Sequence, residues 1–473
     1  MTAVVATLGA VLLVVVAGLP IGYVLLRDVR LGLLVAPIVT GLTAAVAVIL
    51  MLVAGGSLRW WLGGLLIAQW AATPVLLRTV APVRAPHASW ADLLWLTVPL
   101  IPPFLTAFLP PTEWDAHSIW WLHAAYFTRG ATMARQYIGH PSINISHPDY
   151  PPLLSATVAG AWSVFRGYGL YVAQFVSATL SFSAIAMLGY AVRVVTGRAP
   201  VIVSRLAAVC VALAAWGAAP FAAAKGYADP LWSAAFVAAA LLLLFRPDPL
   251  RRPGLAVLLL TAVALTKNEG FVMAAVLAAI ATVRMRHVLG RAWVVWLPVG
   301  GGLVWSAVAR HLGAKSDIAA EVDFGSLLRG SSQIYDRLSP TLSAIWATVG
   351  AIVAVSMATA VIGGITLRRP RRALGLGGDL WLWSVALAYL AILSATYLVS
   401  TNEIHWYLNT SVARVTLPFA LMAAASAVCW GVAAVTGGRI RGRATSAAAI
   451  ETTSATPSPA PTSGTAEIGA REG

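Results

Sequence analysis

The chain predicts an all-α integral membrane protein, a multi-pass bundle of about 13 spans, and three observations carry that prediction. Of its 473 residues, 59% are hydrophobic and only 10% are charged, with a mean hydropathy of +0.81; soluble domains run to about 45–50% apolar and about 25% charged. The apolar residues fall in runs close to the roughly 20 that a helix needs to cross the hydrocarbon core. The charges collect between these runs, not within them. A single-pass receptor, a secreted enzyme and a disordered scaffold are excluded. A net charge of +15 would suggest nucleic acid in a soluble chain. Here no basic stripe interleaves with aromatics, so the expected partner is the lipid bilayer and no nucleic acid.

In order along the chain, Thr2–Leu26 lacks the basic lead of a signal peptide and ends at Arg27 and Arg30, which suits a retained helix with its basic end cytoplasmic. Leu31–Gly55 and Trp60–Leu77 follow, then the basic linker Arg78–Arg84. Leu93–Leu109 is a helix broken by Pro102 and Pro103. A long polar and aromatic stretch, Pro110–Pro151, precedes Leu153–Phe165, which rises only about 20 Å and is expected to be juxtamembrane or re-entrant. Spans resume at Leu170–Val195, Val201–Trp216 and Ala228–Phe245. Leu255–Thr266 and Phe271–Val283 form a short hairpin turning at Lys267-Asn268-Glu269-Gly270. Ala292–Ala309, Leu342–Ile365, Leu380–Ser400 and Val412–Val435 complete the bundle.

The basic loops Arg246–Arg252, Arg284–Arg291, Arg368–Arg372 and Arg439–Arg443 all fall on one side of this map, as cytoplasmic loops do. Pro110–Pro151, Lys225–Asp229, Lys267–Glu269, His311–Ser339 and Thr401–Arg414 fall on the other, which is expected to be extracytoplasmic across the plasma membrane. The organisation expected is residues 1–91 as additional N-terminal helices, 92–436 as the core carrying the external loop 110–151, and 437–473 as a disordered cytoplasmic tail rich in Ala, Ser, Thr and Pro. Cys210 and Cys429 both lie in apolar segments and are expected to be small buried hydrophobes.

Chemistry concentrates on the outward side, which holds all three lysines, Lys225, Lys267 and Lys315. The densest cluster is Glu113-Trp114-Asp115-Ala116-His117, followed by Trp120, Trp121, His123 and Tyr126. The aromatics suit an amphipathic helix lying in the interface, or anchors only. Two carboxylates beside it, Glu113 and Asp115, suit a proton acceptor where acyl chains meet water. His147-Pro148-Asp149-Tyr150-Pro151-Pro152 closes the loop, either as a rigid junction or as a firmly held binding surface. The histidines show no metal-ligand spacing, and no phosphate-cradling glycine loop is present. No metal or cofactor is expected; a divalent ion between Asp115 and Asp149 is the weaker alternative.

The order of these motifs resembles the GT-C glycosyltransferases, among them protein O-mannosyltransferases and the enzymes that move aminoarabinose onto lipid A. The matching stretches are Glu113-Trp114-Asp115-Ala116, His147-Pro148-Asp149-Tyr150-Pro151-Pro152-Leu153 and Val164-Phe165-Arg166-Gly167. Lys225-Gly226-Tyr227-Ala228-Asp229, Leu265-Thr266-Lys267-Asn268-Glu269-Gly270 and Asn409-Thr410-Ser411-Val412-Ala413-Arg414 extend the likeness, which covers Leu93 to Val435. The chain departs from the family in carrying about four spans before the loop instead of one, and in lacking a large soluble C-terminal domain. The resemblance implies transfer of a sugar from a polyprenyl-phosphate donor to a hydroxyl acceptor in a cell-wall glycan, glycolipid or protein, on the outer face and with inversion. It implies that Asp115, or secondarily Glu113, takes the acceptor's proton. Lys225, Lys267, Arg414 and Arg135 become candidates for the donor phosphate. His117, His147, Asp149, Tyr150, Asp229 and Glu269 become candidates for substrate binding. Lys225 paired with Asp229 across one helical turn, and Lys267 paired with Glu269 at the hairpin, are the plainer alternatives. A transporter or flippase of lipid-linked sugars or small solutes is the competing class, with ionisable groups at midplane on broken helices.

Overall fold

A computed structural model of the chain describes residues 3–80, 89–165, 167, 169–197, 199–218, 222–245, 253–286, 289–315, 332–367 and 377–453, with side chains described through 436 except at 289–290 and 332–333. Among these residues every regular element is helical. Eight helices are long and apolar enough to cross a membrane. Their outer faces are apolar too: Trp60, Ile67, Trp346 and Ile365 are exposed, a surface that suits lipid and not water.

The amino-terminal flank is a three-helix group: α1 (Ala3–Leu26), α2 (Val29–Ala54) and α3 (Leu58–Thr79). The first two pack closely because Gly18 removes the obstacle. A Cβ there would fall 2.0 Å from the Ala36 carbonyl oxygen, the small-residue contact on which lipid-embedded helices rely. The expected helix 93–109 is instead α4 (Trp90–Thr97), a tight turn Val98–Leu100 and α5 (Ile101–Thr106). Pro99, Pro102 and Pro103 each remove a backbone donor, so the break falls earlier than Pro102.

Beyond the polar stretch come α6 (Leu122–Thr128), α7 (Ala131–Ile138) and the short α8 (Leu153–Phe165). Then follow α9 (Leu170–Val195), α10 (Val201–Ala218) and α11 (Asp229–Leu244). Helix α11 is buried from end to end and forms the axis of the bundle, flanked by α9, by α12 (Gly254–Ala264) and by the last helix. Helix α13 (Asn268–Arg284) closes the hairpin. The one-turn α14 (Leu289–Ala292) and α15 (Leu297–His311) lead to α16 (Ser332–Thr366), α17 (Gly377–Val399), α18 (Ile404–Val415) and α19 (Leu417–Thr453). Helix continues into the segment expected to lack structure, as far as Thr453; residues 454–473 lie outside the described residues.

Four segments expected as spans, α11, α12, α13 and α15, are shorter than 18 residues. Pro230 and Pro298 stand at the first turns of α11 and α15, and Lys267 breaks the hairpin between α12 and α13. Cys429 is buried, but Cys210 is exposed on the outer side of α10. An apolar segment flanked by lipid has no need to bury every apolar residue.

Asp92 in the first turn of α4 accepts from Arg193 at 2.8 Å and Arg205 at 2.7 Å. Ser89 and Asp92 cap the helix reciprocally. These two arginines therefore answer one buried carboxylate, a pairing across 113 positions of sequence.

Candidate functional site

The site is assembled from the loop after α5, the segment before α11, the α12–α13 turn and the last turn of α18. Gln174 on α9 donates to the carbonyls of Ala107 and Leu109, both at 2.8 Å, and fixes where the chain leaves α5. Glu113 and Asp115 follow, and then a π-helical turn, Ala116–Trp121, of the wide kind that recurs near functional sites. Its aromatics are not membrane anchors: Trp120, Trp121 and Tyr126 are each 2% exposed, while Trp114 is 60% exposed. The extra residue per turn points them inward, against α8 and the segment before α11. His117 sits edge-on to Trp121, its Nε2 2.5 Å from the Pro111 carbonyl oxygen.

Gly226 is what lets the next segment approach. Its φ is +91°, and a Cβ there would lie 2.7 Å from the Trp121 ring and 2.8 Å from Ala116. The turn it makes separates Lys225 from the helix that begins at Asp229, so the alternative Lys225–Asp229 pair does not form. Lys225 instead donates to Glu113 Oε1 at 2.9 Å, and the Tyr227 hydroxyl donates to Glu113 Oε2 at 2.9 Å. Burial pushes the Glu113 carboxyl up, but these two hydrogen bonds outweigh it and hold the group below its ordinary range. The same burial and the donated hydrogen bond push the Tyr227 phenol well up.

Arg414 lies over the Tyr227 ring, 4.7 Å from its centroid. Its guanidinium donates to Asp115 and, at 3.1 Å, to the Thr410 carbonyl, and lies 3.8 Å from Asp229. Asp229, 2% exposed, accepts from Lys267 at 3.1 Å, and Lys267 also meets Glu269 at 3.1 Å. The alternative hairpin pairing of Lys267 with Glu269 is therefore half of a bifurcated one. Glu269 Oε2 is shielded from solvent and has no hydrogen-bond partner among the described residues.

The proline-rich end of the loop is stitched to this cluster. Asp149 accepts from Asn268 at 2.6 Å, its carbonyl accepts from Trp305 at 2.8 Å, and the Leu153 amide donates to the Leu265 carbonyl at 2.8 Å. Tyr150 stacks between Trp120 and His147, with Lys267 5.8 Å from its ring. His147 takes a left-handed backbone, φ 54°, to make the turn. Burial and the nearby Lys267 charge hold its imidazole down at about 4, against a smaller pull from Asp115.

Of the residues nominated from sequence, Glu113, Asp115, Lys225, Asp229, Lys267, Glu269 and Arg414 form one connected network, with Asp149, Tyr150 and His147 beside it. Arg135 is not joined to it. Its guanidinium donates to the carbonyls of Leu52 and Val53, where it closes the end of α2. Asp115 and Asp149 answer different partners and form no shared ligand pair; among the described residues no cluster of three His, Cys, Asp or Glu suits a metal ion. Arg166, within the Val164–Gly167 motif, lies outside the described residues. Sequence reasoning missed Tyr227, Asn268 and Trp305 as site residues. The first two stood inside quoted motifs, whereas nothing in the sequence marked Trp305.

The network lies partly buried, set back along the helices that carry it. Gly41, in the middle of α2, touches Leu153, and α2 rises past it for 13 more residues, roughly 20 Å. Arg414 is likewise roughly 15 Å along α18 from Ile404. Exposure falls inward, from side chains of Asp115 and Arg414 at 23% each to Lys267 at 10% and Asp229 at 3%. Comparison with protein families, with curated proteins and with solved structures finds no match to this chain.

Proposed function

We propose that this protein is a GT-C-like glycosyltransferase of the plasma membrane that moves a sugar from a polyprenyl-phosphate donor to a hydroxyl acceptor on the extracytoplasmic side. The observation that carries the reading is the meeting of Asp115 with Arg414, both half-buried, beside the buried Lys267–Asp229 pair. A transfer of this kind needs a carboxylate for the acceptor's proton and a cation where leaving-group charge accumulates. In the unliganded protein the two neutralise each other. A donor phosphate drawn to Arg414 and Lys225 releases Asp115 to accept the proton as the acceptor oxygen attacks the anomeric carbon. The C–O bond to phosphate breaks in the same displacement, which gives inversion. Glu113, gripped by Lys225 and Tyr227, orients Lys225. The unsatisfied Oε2 of Glu269 suits a sugar hydroxyl. The count of about 13 spans belongs to this reading, with the shorter helices crossing as part of the packed core.

Replacing Asp115 with Asn is expected to abolish transfer of radiolabelled sugar from a polyprenyl-phosphate donor by purified protein, with membrane insertion intact. Undiminished turnover by that variant overturns the assignment. A second reading, movement of lipid-linked sugars or small solutes, is favoured by one observation: the buried Lys267–Asp229 pair stands at a break between short helices. Flux into proteoliposomes without a covalent product would select it.

A further inference from the structure

A cavity of about 350 Å³ opens where the α2–α3 turn meets the ends of α6 and α8, walled by Ser57, Arg59, Thr128, Arg129, Trp162 and Ser163 among others. Its volume lies at the small end of ligand-holding cavities. It is separate from the charged network. Trp162 stands nine residues along α8 from Leu153, roughly 14 Å.

The charge balance of the two places differs in kind. In the charged network, three cations face four carboxylates. In the cavity, two guanidiniums share the wall and, among the described residues, no carboxylate lines it. A third positive contribution comes from the backbone. The 22-residue α3 starts here, and Ser57 at its N-cap position makes no capping bond with its side chain. The Ser57 Oγ is shielded from solvent and has no partner among the described residues. The positive end of the helix is therefore left without a side-chain oxygen to answer it.

The wall is also pre-formed. Trp61 Nε1 donates to the Gly55 carbonyl at 2.8 Å, and the Ala131 amide donates to the Gly56 carbonyl at 3.1 Å, locking the α2–α3 turn to α7. Arg59 and Arg129 are exposed at the rim, and the apolar side of Trp162 completes the wall.

We propose that this cavity binds a phosphate group presented at the bilayer interface, with Arg59 and Arg129 as its charged ligands and the Ser57 hydroxyl and the first amides of α3 as neutral donors. Guanidinium pairs with phosphate oxygens in a bidentate fork, and a helix start adds aligned N–H groups. The phosphate belongs either to a phospholipid headgroup or to free phosphate, and the two can be told apart.

The test uses the full chain in a maltoside detergent free of phosphate. Short-chain phosphatidylglycerol, inorganic phosphate and short-chain diacylglycerol are titrated separately, with saturable rise of the thermal midpoint as the readout. Phosphatidylglycerol is expected to stabilise the protein, and the Arg59→Gln, Arg129→Gln double variant to need about tenfold more of it or beyond. The unliganded midpoint of the variant is recorded alongside, and each titration is read as the rise above that protein's own unliganded value. A response to phosphatidylglycerol alone assigns the phosphate to lipid, and an equal response to inorganic phosphate assigns it to the free ion. An unchanged requirement in the variant, or equal stabilisation by neutral diacylglycerol, overturns the proposal.

Discussion

Gly226 illustrates how much one residue decides here. Its positive φ and its contacts with Trp121 and Ala116 leave no space for a methyl group. Gly226→Ala is expected to destabilise the protein by about 1–3 kcal/mol, lowering the thermal midpoint, and to weaken transfer further by shifting Lys225 and Tyr227 from Glu113. A variant melting with the wild type would show that the turn relaxes freely. His123 and His147 make a second prediction at this scale. Burial holds His123 at about 3, with a hydrogen bond at the Ser146 carbonyl opposing it, and His147 at about 4. Their folded values lie below the ordinary 6.5, so the unfolded chain takes up protons first. Their contribution is complete above pH 6.5 and is lost as the pH falls from there toward 4. Glu113, also held low, adds to the loss only below its ordinary 4.5. Thermal midpoints recorded from pH 7 to pH 4.5 should therefore fall steadily; a flat profile would contradict the neutral burial of both imidazoles.

At the scale of elements, the Asp92 triad ties α4 to α9 and α10. Asp92→Ala would leave Arg193, with 8% of its side chain exposed, without its counter-charge. Removing one partner of a buried ion pair costs about 3–5 kcal/mol. The expected result is a protein that inserts but melts markedly lower in detergent, and a midpoint within a degree of wild type would show the arginines re-paired. Much at this scale was legible in the sequence. Runs of apolar residues located the long helices, and the prolines marked the α4–α5 break to within a few positions. What the sequence did not reveal was which aromatics turn inward. Trp120, Trp121 and Tyr126 have the composition of an interfacial belt, and only the π-helical turn and the glycine opposite it bury them. The alternative pairing of Lys225 with Asp229 failed for a related reason. Spacing of four suggests one helical turn, but Gly226 places that lysine outside the helix.

For the whole molecule, the sequence placed Glu113, Asp115, Lys225, Lys267 and Arg414 on one side of a topological map, and these five are joined in one network. That map rests on the alternation of apolar runs with basic loops, a constraint of the bilayer that holds without any tertiary contact. Arg135 shared that side yet closes the end of α2, because a map of sides contains no lateral distances. Tyr227 and Trp305 escaped notice because their roles arise from contacts between distant segments.

Asp115 and Arg414 stand 299 positions apart, and that separation governs the order in which the protein can be made. All 299 positions that follow Asp115 up to Arg414 must leave the ribosome before the guanidinium that answers Asp115 and flanks Asp229 exists. Until α18 arrives, the nascent chain holds these carboxylates without one of their counter-ions, and the network becomes electrically complete only when that helix docks.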